Sequence, residues 1–172
     1  AMKRTVDAFR EGIFDLLILG GGITGAGVAL DATLRGLRVG LIDKGDFASG
    51  TSSVSSKLVH GGLRYLEHGE LSLVHEALHE RGRLLRNAPH LVQKQSFIIP
   101  CYSHFAKLKY LLGLKLYDLL AGRYSFGKSK SISRNGVSGA FPHLKNAGLV
   151  GGVQYFDGRF DDARLAVRLA QT

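Results

Sequence analysis

The sequence predicts an α/β fold, a parallel sheet with crossover helices. Three observations carry this. Residues 14–19 (FDLLIL) are a short apolar run ending in glycines, which suits a buried parallel strand. Residues 26–35 are rich in Ala and Leu and favour a helix, with Gly36 as its C-cap. Residues 37–42 (LRVGLI) are a second short apolar run. A β-turn-α-β order within about 30 residues is the usual span of one such unit, and its connection is right-handed.

The remaining elements follow in order. Residues 45–62 are rich in Gly and Ser and read as a long loop. A helix is predicted over 70–87, where Leu71, Val74, Leu78 and Leu85 recur at helical spacing and Pro89 closes the run. Residues 96–100 read as a strand, and residues 105–120 as a basic amphipathic helix interrupted by Gly113. Residues 122–136 are polar and flexible in composition, and 152–156 form another strand candidate. Asp161 or Asp162 caps a last helix running to Ala170. A parallel fold would continue with another strand, so the ending at Thr172 reads as premature. Residues 1–13 are expected to be an N-terminal extension, with Ala1 as a tag remnant, and 14–172 the N-terminal part of a domain with a basic helical insertion at about 103–134.

Composition excludes several classes. Hydrophobic residues at 45% and charged residues at 22% exclude a disordered chain. Three Pro against 23 Gly exclude a collagen-like or Pro-rich stalk. The single Cys101 excludes an intrachain disulfide and fits a reducing compartment. No apolar run approaches the roughly 18 residues that span a bilayer. The N-terminus Ala1-Met2-Lys3-Arg4 has no hydrophobic signal core, so a non-secreted protein is expected. Net charge is +9, of which Ser103–Arg134 hold +6: seven bases (Lys107, Lys109, Lys115, Arg123, Lys128, Lys130, Arg134) against Asp118 alone. Such a stripe suits nucleic acid, anionic lipid, an anionic substrate, or simply a solvated face.

Gly20-x-Gly22-x-x-Gly25 matches the dinucleotide fingerprint of a Rossmann-like fold. The pattern alone is weak, but it follows an apolar run and opens a helix, whose N-terminus suits a pyrophosphate. Asp43, 23 positions after Gly20, stands where an acid binds ribose hydroxyls. An acid there favours NAD or FAD over NADP, and the glycines do not separate the two. Residues 50–57 (GTSSVSSK) add hydroxyls and a cation and run on into His60-Gly61-Gly62. A Ser-rich linker would not continue into such a mixture of apolar anchors and site-type residues.

The chain resembles the FAD-dependent glycerol-3-phosphate dehydrogenases. The stretches DLLILGGGITGAGVALDATLRGLRVGLIDKGDFASGTSS, SSKLVHGGLRYLEHGE, LVHEALHERGRLL with APHLV, GLKLYDLLAG and YFDGRFDDARL carry the resemblance, from Asp15 to Leu165. It implies an FAD enzyme that oxidises sn-glycerol 3-phosphate to dihydroxyacetone phosphate and passes electrons to quinone. It implies Gly20, Gly21, Gly22, Ile23, Thr24 and Gly25 at the FAD pyrophosphate, and Asp43 at the adenosine ribose with Lys44 beside it. The family usually has Glu in place of Asp43. Thr51, Ser52, Ser53, Ser56, Lys57, Leu58 and the His60-Gly61-Gly62 backbone would line flavin and pyrophosphate. Arg64 and Tyr65 match the family's phosphate-contacting pair, which fits bidentate Arg–phosphate chemistry.

Family members are roughly three times longer, so the chain is expected to hold the FAD-binding part, to be inactive alone, and to lack the catalytic base. The resemblance also implies a cytoplasmic enzyme, peripheral to the inner face of the cytoplasmic membrane, and a homodimer at full length. The nearest alternatives are a glycerol-3-phosphate oxidase or a related amino-acid or amine oxidase, with Arg64-Tyr65 favouring a phosphate substrate. An alternative of another class is a basic lipid- or nucleic-acid-binding module. The membrane reading places Lys107, Lys109 and Lys115 beside Leu108, Leu111, Leu112, Leu116 and Leu119 on a helix at an anionic surface, rather than in a nucleic-acid groove.

Two motifs compete. His75-Glu76-Ala77-Leu78-His79 matches the H-E-x-x-H zinc pattern, but Leu71, Val74, Leu78 and Leu85 make that helix an ordinary packing element and no third ligand with an appropriate context follows, so no metal is expected. His60-Gly61-Gly62 is like an esterase oxyanion motif, yet no G-x-S-x-G elbow exists. Cys101 follows an apolar strand and is expected to be buried rather than nucleophilic.

Overall fold

The predicted β-turn-α-β unit is present. In the computed structural model, which describes residues 6–172, the elements run α1 (Val6–Glu11), β1 (Leu16–Leu19), α2 (Ile23–Leu34), β2 (Val39–Ile42), β3 (Leu58–Val59), α3 (Leu63–Glu67), α4 (Leu71–Asn87), β4 (Val92–Cys101), α5 (His104–Ala121), a 3-10 turn (Gly122–Tyr124), β5 (Lys130–Ile132), α6 (Arg134–Ala140), β6 (Gly151–Phe160) and α7 (Asp162–Gln171). The remnant read at Ala1 lies outside the described residues, while the extension's later part forms α1.

The chain divides into two compact units, the residues up to Lys57 with Asp161–Thr172, and Leu58–Phe160. In the first, β1 and β2 pair in parallel from Leu16 against Val39 to Leu19 against Ile42. Helix α2 crosses between them and packs on α7. The apolar runs predicted buried strands, yet Leu17 and Leu19 are exposed. Continuous apolar character is what a parallel strand needs when both sheet faces are covered, and this sheet has two strands.

The second unit holds a sheet that the local pattern did not predict. Strand β6 is its centre. It pairs antiparallel with β4 over ten residues, from Val92 against Phe160 to Cys101 against Gly151. Its other edge pairs with β3 and β5. Both 96–100 and 152–156 are therefore parts of longer strands, and Pro100 is tolerated because β4 lies at an edge. Residues 122–136, read as flexible, instead form the 3-10 turn, β5 and the start of α6.

Helix α4 begins and ends close to where its spacing predicts and buries Val74 and Leu78. These pack with Tyr117 and Ala121 of α5 in one apolar cluster. Helix α5 runs through Gly113 without a break. Side-chain caps start three helices, with Ser103 accepting from Ala106 N–H, Ser133 from Gly136 N–H and Asp161 from Arg164 N–H. Cys101 is buried in a cluster with Leu114 and Val153, and burial pushes its thiol pKa up.

Candidate functional site

The glycine loop is built for close approach. Gly20 has φ +116°, in the left-handed region, and its N–H donates to Ile42 O at 2.7 Å, joining the ends of β1 and β2. A Cβ on Gly25 would stand 1.9 Å from Gly20 O, so only glycine lets α2 start this near the loop. Gly22 is the N-cap of α2 in extended backbone and has no side chain of its own to cap the helix, so among the side chains of the described residues Ser52 alone reaches its first amide, the Ile23 N–H. The first-turn N–H groups and the helix dipole thus favour an anion.

Asp43 lies at the end of β2, as predicted, but its carboxylate is partly engaged. Oδ2 accepts from Gly21 N–H at 2.6 Å and Oδ1 from Gly45 N–H at 2.8 Å. These bonds, Gly45 first, hold the carboxyl below the ordinary Asp range. A carboxylate has about four acceptor positions, so room remains for a ribose hydroxyl. The shorter Asp side chain also fixes the glycine loop itself.

The serine-rich segment folds back on this loop. Ala48 N–H donates to Gly21 O at 2.9 Å. Ser52 is buried and its Oγ accepts from Ile23 N–H at 3.1 Å. Ser53 Oγ donates to Ala48 O. Thr24, Lys44, Thr51 and Ser56 stand exposed. Lys57, assigned to flavin and pyrophosphate from sequence, has another partner, since its ammonium pairs with Asp162 at the start of α7 and donates to Ser53 O at 3.1 Å. Ser55 Oγ donates to the other Asp162 oxygen. Burial pushes the Asp162 carboxyl up, but Lys57, Ser55 and the Ala163 N–H outweigh it and hold it below the ordinary range. Asp162 is therefore a clamp that sequence reasoning treated only as a helix cap.

The remaining predicted residues lie in the second unit. Leu58 pairs with Arg159 across β3 and β6. His60 is exposed, and its Nδ1 accepts from Gly62 N–H at 3.1 Å. Gly61 and Gly62 are buried, and Gly62 takes a left-handed conformation as the N-cap of α3. Gly61 N–H donates to the Tyr117 hydroxyl at 2.8 Å. Arg64 and Tyr65 project exposed from α3, and among the described residues Arg64 has no carboxylate within ion-pair distance. A pocket of about 470 Å³ beside Arg86, Arg123 and Tyr124 holds none of the predicted site residues.

The rings of the two zinc-pattern histidines lie 3.9 Å apart, tilted by 43°, with the His79 ring 4.8 Å from that of Tyr124. Burial and then the neighbouring His75, Arg83 and Arg123 hold the His79 pKa down. Among the described residues no three His, Cys, Asp or Glu gather to hold a metal.

A glycine loop with a close helix start, a helix N-terminus capped only by Ser52 and a carboxylate at the next strand's end fits the pyrophosphate and ribose of a dinucleotide. Residues 15–172 match the family described as FAD dependent oxidoreductase, and the chain belongs to it. FAD is that family's cofactor. The chain is 45% identical over 174 residues to a probable glycerol-3-phosphate dehydrogenase of Encephalitozoon cuniculi, covering 97% of this chain and 28% of that protein. It is 48% identical over 169 residues to the mitochondrial glycerol-3-phosphate dehydrogenase of Arabidopsis thaliana, covering 92% and 27%. Among solved structures, the FAD complex of the Bacillus halodurans glycerol-3-phosphate dehydrogenase matches with a TM-score of 0.64 at 32% identity, over 94% of this chain and 24% of that one. The chain thus spans about a quarter of the length of the curated relatives it matches.

Proposed function

We propose that this chain is the FAD-binding part of an enzyme that oxidises sn-glycerol 3-phosphate to dihydroxyacetone phosphate, with quinone taking the electrons. The observation that carries the reading is the 45–48% identity, over nearly the whole chain, to relatives bearing that name. The exposed, unpaired Arg64 on α3 supports it. Bound FAD supplies a two-electron acceptor for the substrate's C2 hydride. Gly20–Gly25 and the α2 N-terminus hold its pyrophosphate, and Asp43 accepts from its ribose. Arg64 presents two N–H donors to the substrate phosphate and Tyr65 one O–H.

Alone, the chain is inactive, because the relatives are about four times longer and β1 and β2 have exposed apolar side chains to cover.

A membrane surface is the proposed location, and the side chains that α5 leaves exposed support the apolar ones rather than the lysines as its contact. Lys107 Nζ donates to Ile132 O at 3.0 Å and Lys115 Nζ to Ser129 O at 2.6 Å, while Lys109 pairs with Glu67 at 3.8 Å. Lys107 and Lys115 therefore tie α5 to its own unit, and Lys109 stays in a surface pair. Phe105, Leu108, Leu112, Leu116 and Leu119, at spacings of three and four, form an exposed apolar stripe instead. That stripe enters the lipid interface. No helix among the described residues is long and apolar enough to cross a bilayer.

The test is turnover by the full-length, FAD-loaded protein. Glycerol 3-phosphate with a short-chain quinone should support activity, and unphosphorylated glycerol should not. Activity with oxygen equal to that with quinone would replace the dehydrogenase reading by the oxidase one.

A further inference from the structure

A continuous hydrogen-bonded chain runs from the middle of α4 to the His60-Gly61-Gly62 loop. Arg81 on α4 has 1% of its surface exposed, and its Nη1 donates to Asp157 Oδ1 on β6 at 2.7 Å. The other Asp157 oxygen accepts from the Tyr117 hydroxyl at 2.9 Å. That same hydroxyl accepts from Gly61 N–H at 2.8 Å. Every member is buried. Arg81 also lies 4.1 Å over the Phe126 ring, and its Nη2 donates to Tyr124 O at 3.4 Å. Its Nε is the one buried side-chain polar atom without a partner among the described residues. An ion pair taken out of water with one donor unmet is a poor way to gain stability. Its geometry serves something else.

The chain leaves the phenol one orientation. A tyrosine hydroxyl has a single proton. Asp157, acceptor-only as a carboxylate, must receive it, so the oxygen lone pair has to face Gly61. The loop is pinned there by space as well. A Cβ on Gly61 would come within 2.5 Å of both the Leu78 side chain and the Tyr117 oxygen. Gly62 follows in the left-handed conformation and starts α3, which carries Arg64 and Tyr65.

We propose that Arg81, Asp157 and Tyr117 are positioning residues that fix the Gly61-Gly62 backbone and, through it, the direction in which α3 presents Arg64. None of the three is a catalytic residue, since each acts through another group. Arg81 holds the Asp157 side chain in place, Asp157 orients the phenol, and the phenol holds the loop amide. The functional part of this proposal rests on the reading of the loop and Arg64 as part of the flavin and substrate site.

The test compares Tyr117→Phe with Val137→Ala in the full-length, FAD-loaded protein. Tyr117→Phe removes only the hydroxyl and keeps the ring in its apolar cluster. Val137 is fully buried elsewhere in the same unit, beneath β6, and controls for lost stability. Hydrogen exchange is read at the Gly61 amide, together with FAD dissociation and the KM and kcat for glycerol 3-phosphate. In the wild type the Gly61 amide should exchange slowly for a loop residue. Tyr117→Phe should speed it at least tenfold, leave β6 amides unchanged, and raise the FAD Kd or the KM about tenfold with a smaller change in kcat. Asp157→Asn, which keeps the volume and loses the charge, should move the same quantities in the same direction. Val137→Ala should lower Tm and move none of them.

Rapid Gly61 exchange in the wild type would overturn the proposal with no variant needed. So would a Tyr117→Phe protein that loses Tm but keeps its Gly61 exchange, FAD Kd and KM. Faster exchange with unchanged FAD Kd and KM would also overturn it, leaving a merely structural bond. A wild-type protein that binds FAD but ignores glycerol 3-phosphate contradicts the proposed substrate, and the exchange and FAD measurements still decide the positioning role.

Discussion

Asp162 and Asp43 both sit where a carboxylate holds a loop in place. Each has a folded-state pKa below the ordinary Asp value of 3.8. A depressed folded pKa contributes stability that is complete above the unfolded pKa and is lost as pH falls through the folded one. The window therefore opens just below pH 4 and extends to lower pH. Asp162→Asn should lower Tm at pH 7 and flatten the fall of Tm below pH 4, as a series of thermal melts would show. An unchanged acid slope would mean the Lys57–Asp162 contact contributes nothing. Lys57 itself has φ +58°, a conformation that disfavours side chains, and the Asp162 pair helps to keep it there. At Arg64 the effect belongs to binding. Arg64→Ala should raise the KM for glycerol 3-phosphate by about thirtyfold, corresponding to about 2 kcal/mol for a charge-assisted contact, with the FAD spectrum unchanged. The glycine loop and Asp43 were legible because strand, loop, helix and acid lie within one short stretch. The Lys57–Asp162 clamp was not, since its partners stand 105 positions apart and only the tertiary fold joins them.

At the scale of elements, helices followed their periodicity while sheet pairing did not. Helix α4 was legible from Leu71, Val74, Leu78 and Leu85, because a 3.6-residue repeat is local information. The antiparallel ladder of β4 and β6 pairs Val92 with Phe160, and no pattern within either strand names its partner. Sequence composition alone put flexibility at 122–136, whereas β5 gains order by adding to β6. Helix α5 offers two predictions. Ser103→Ala removes its N-cap and should cost about 1 kcal/mol, read as a lower Tm. The double change Phe105→Glu and Leu112→Glu should release the full-length protein from anionic vesicles in a flotation assay while leaving its fold intact. Vesicle binding that survives this change would remove the apolar stripe from the account. Charge reversal at Lys107 or Lys115 is a worse test, since both hold backbone carbonyls of the same unit.

For the whole molecule, the +9 charge resolves into residues with local duties. Part of the basic stripe anchors α5, and Arg64 is exposed to solvent, where the proposed function gives it the substrate phosphate. Six of the 23 glycines stand in the two loops, at 20–22, 25, 61 and 62, and at Gly25 and Gly61 a Cβ would strike a neighbour. Membership of the FAD dependent oxidoreductases accounts for the first loop. The choice of glycerol 3-phosphate rests on the second loop, on Arg64 and on the relatives. These meet in one measurement, the visible flavin absorbance of the full-length protein titrated anaerobically with glycerol 3-phosphate. Glycerol 3-phosphate should bleach it stoichiometrically, and glycine or proline should not bleach it at all. A bound flavin that glycerol 3-phosphate leaves oxidised, and that an amino acid bleaches, would contradict it.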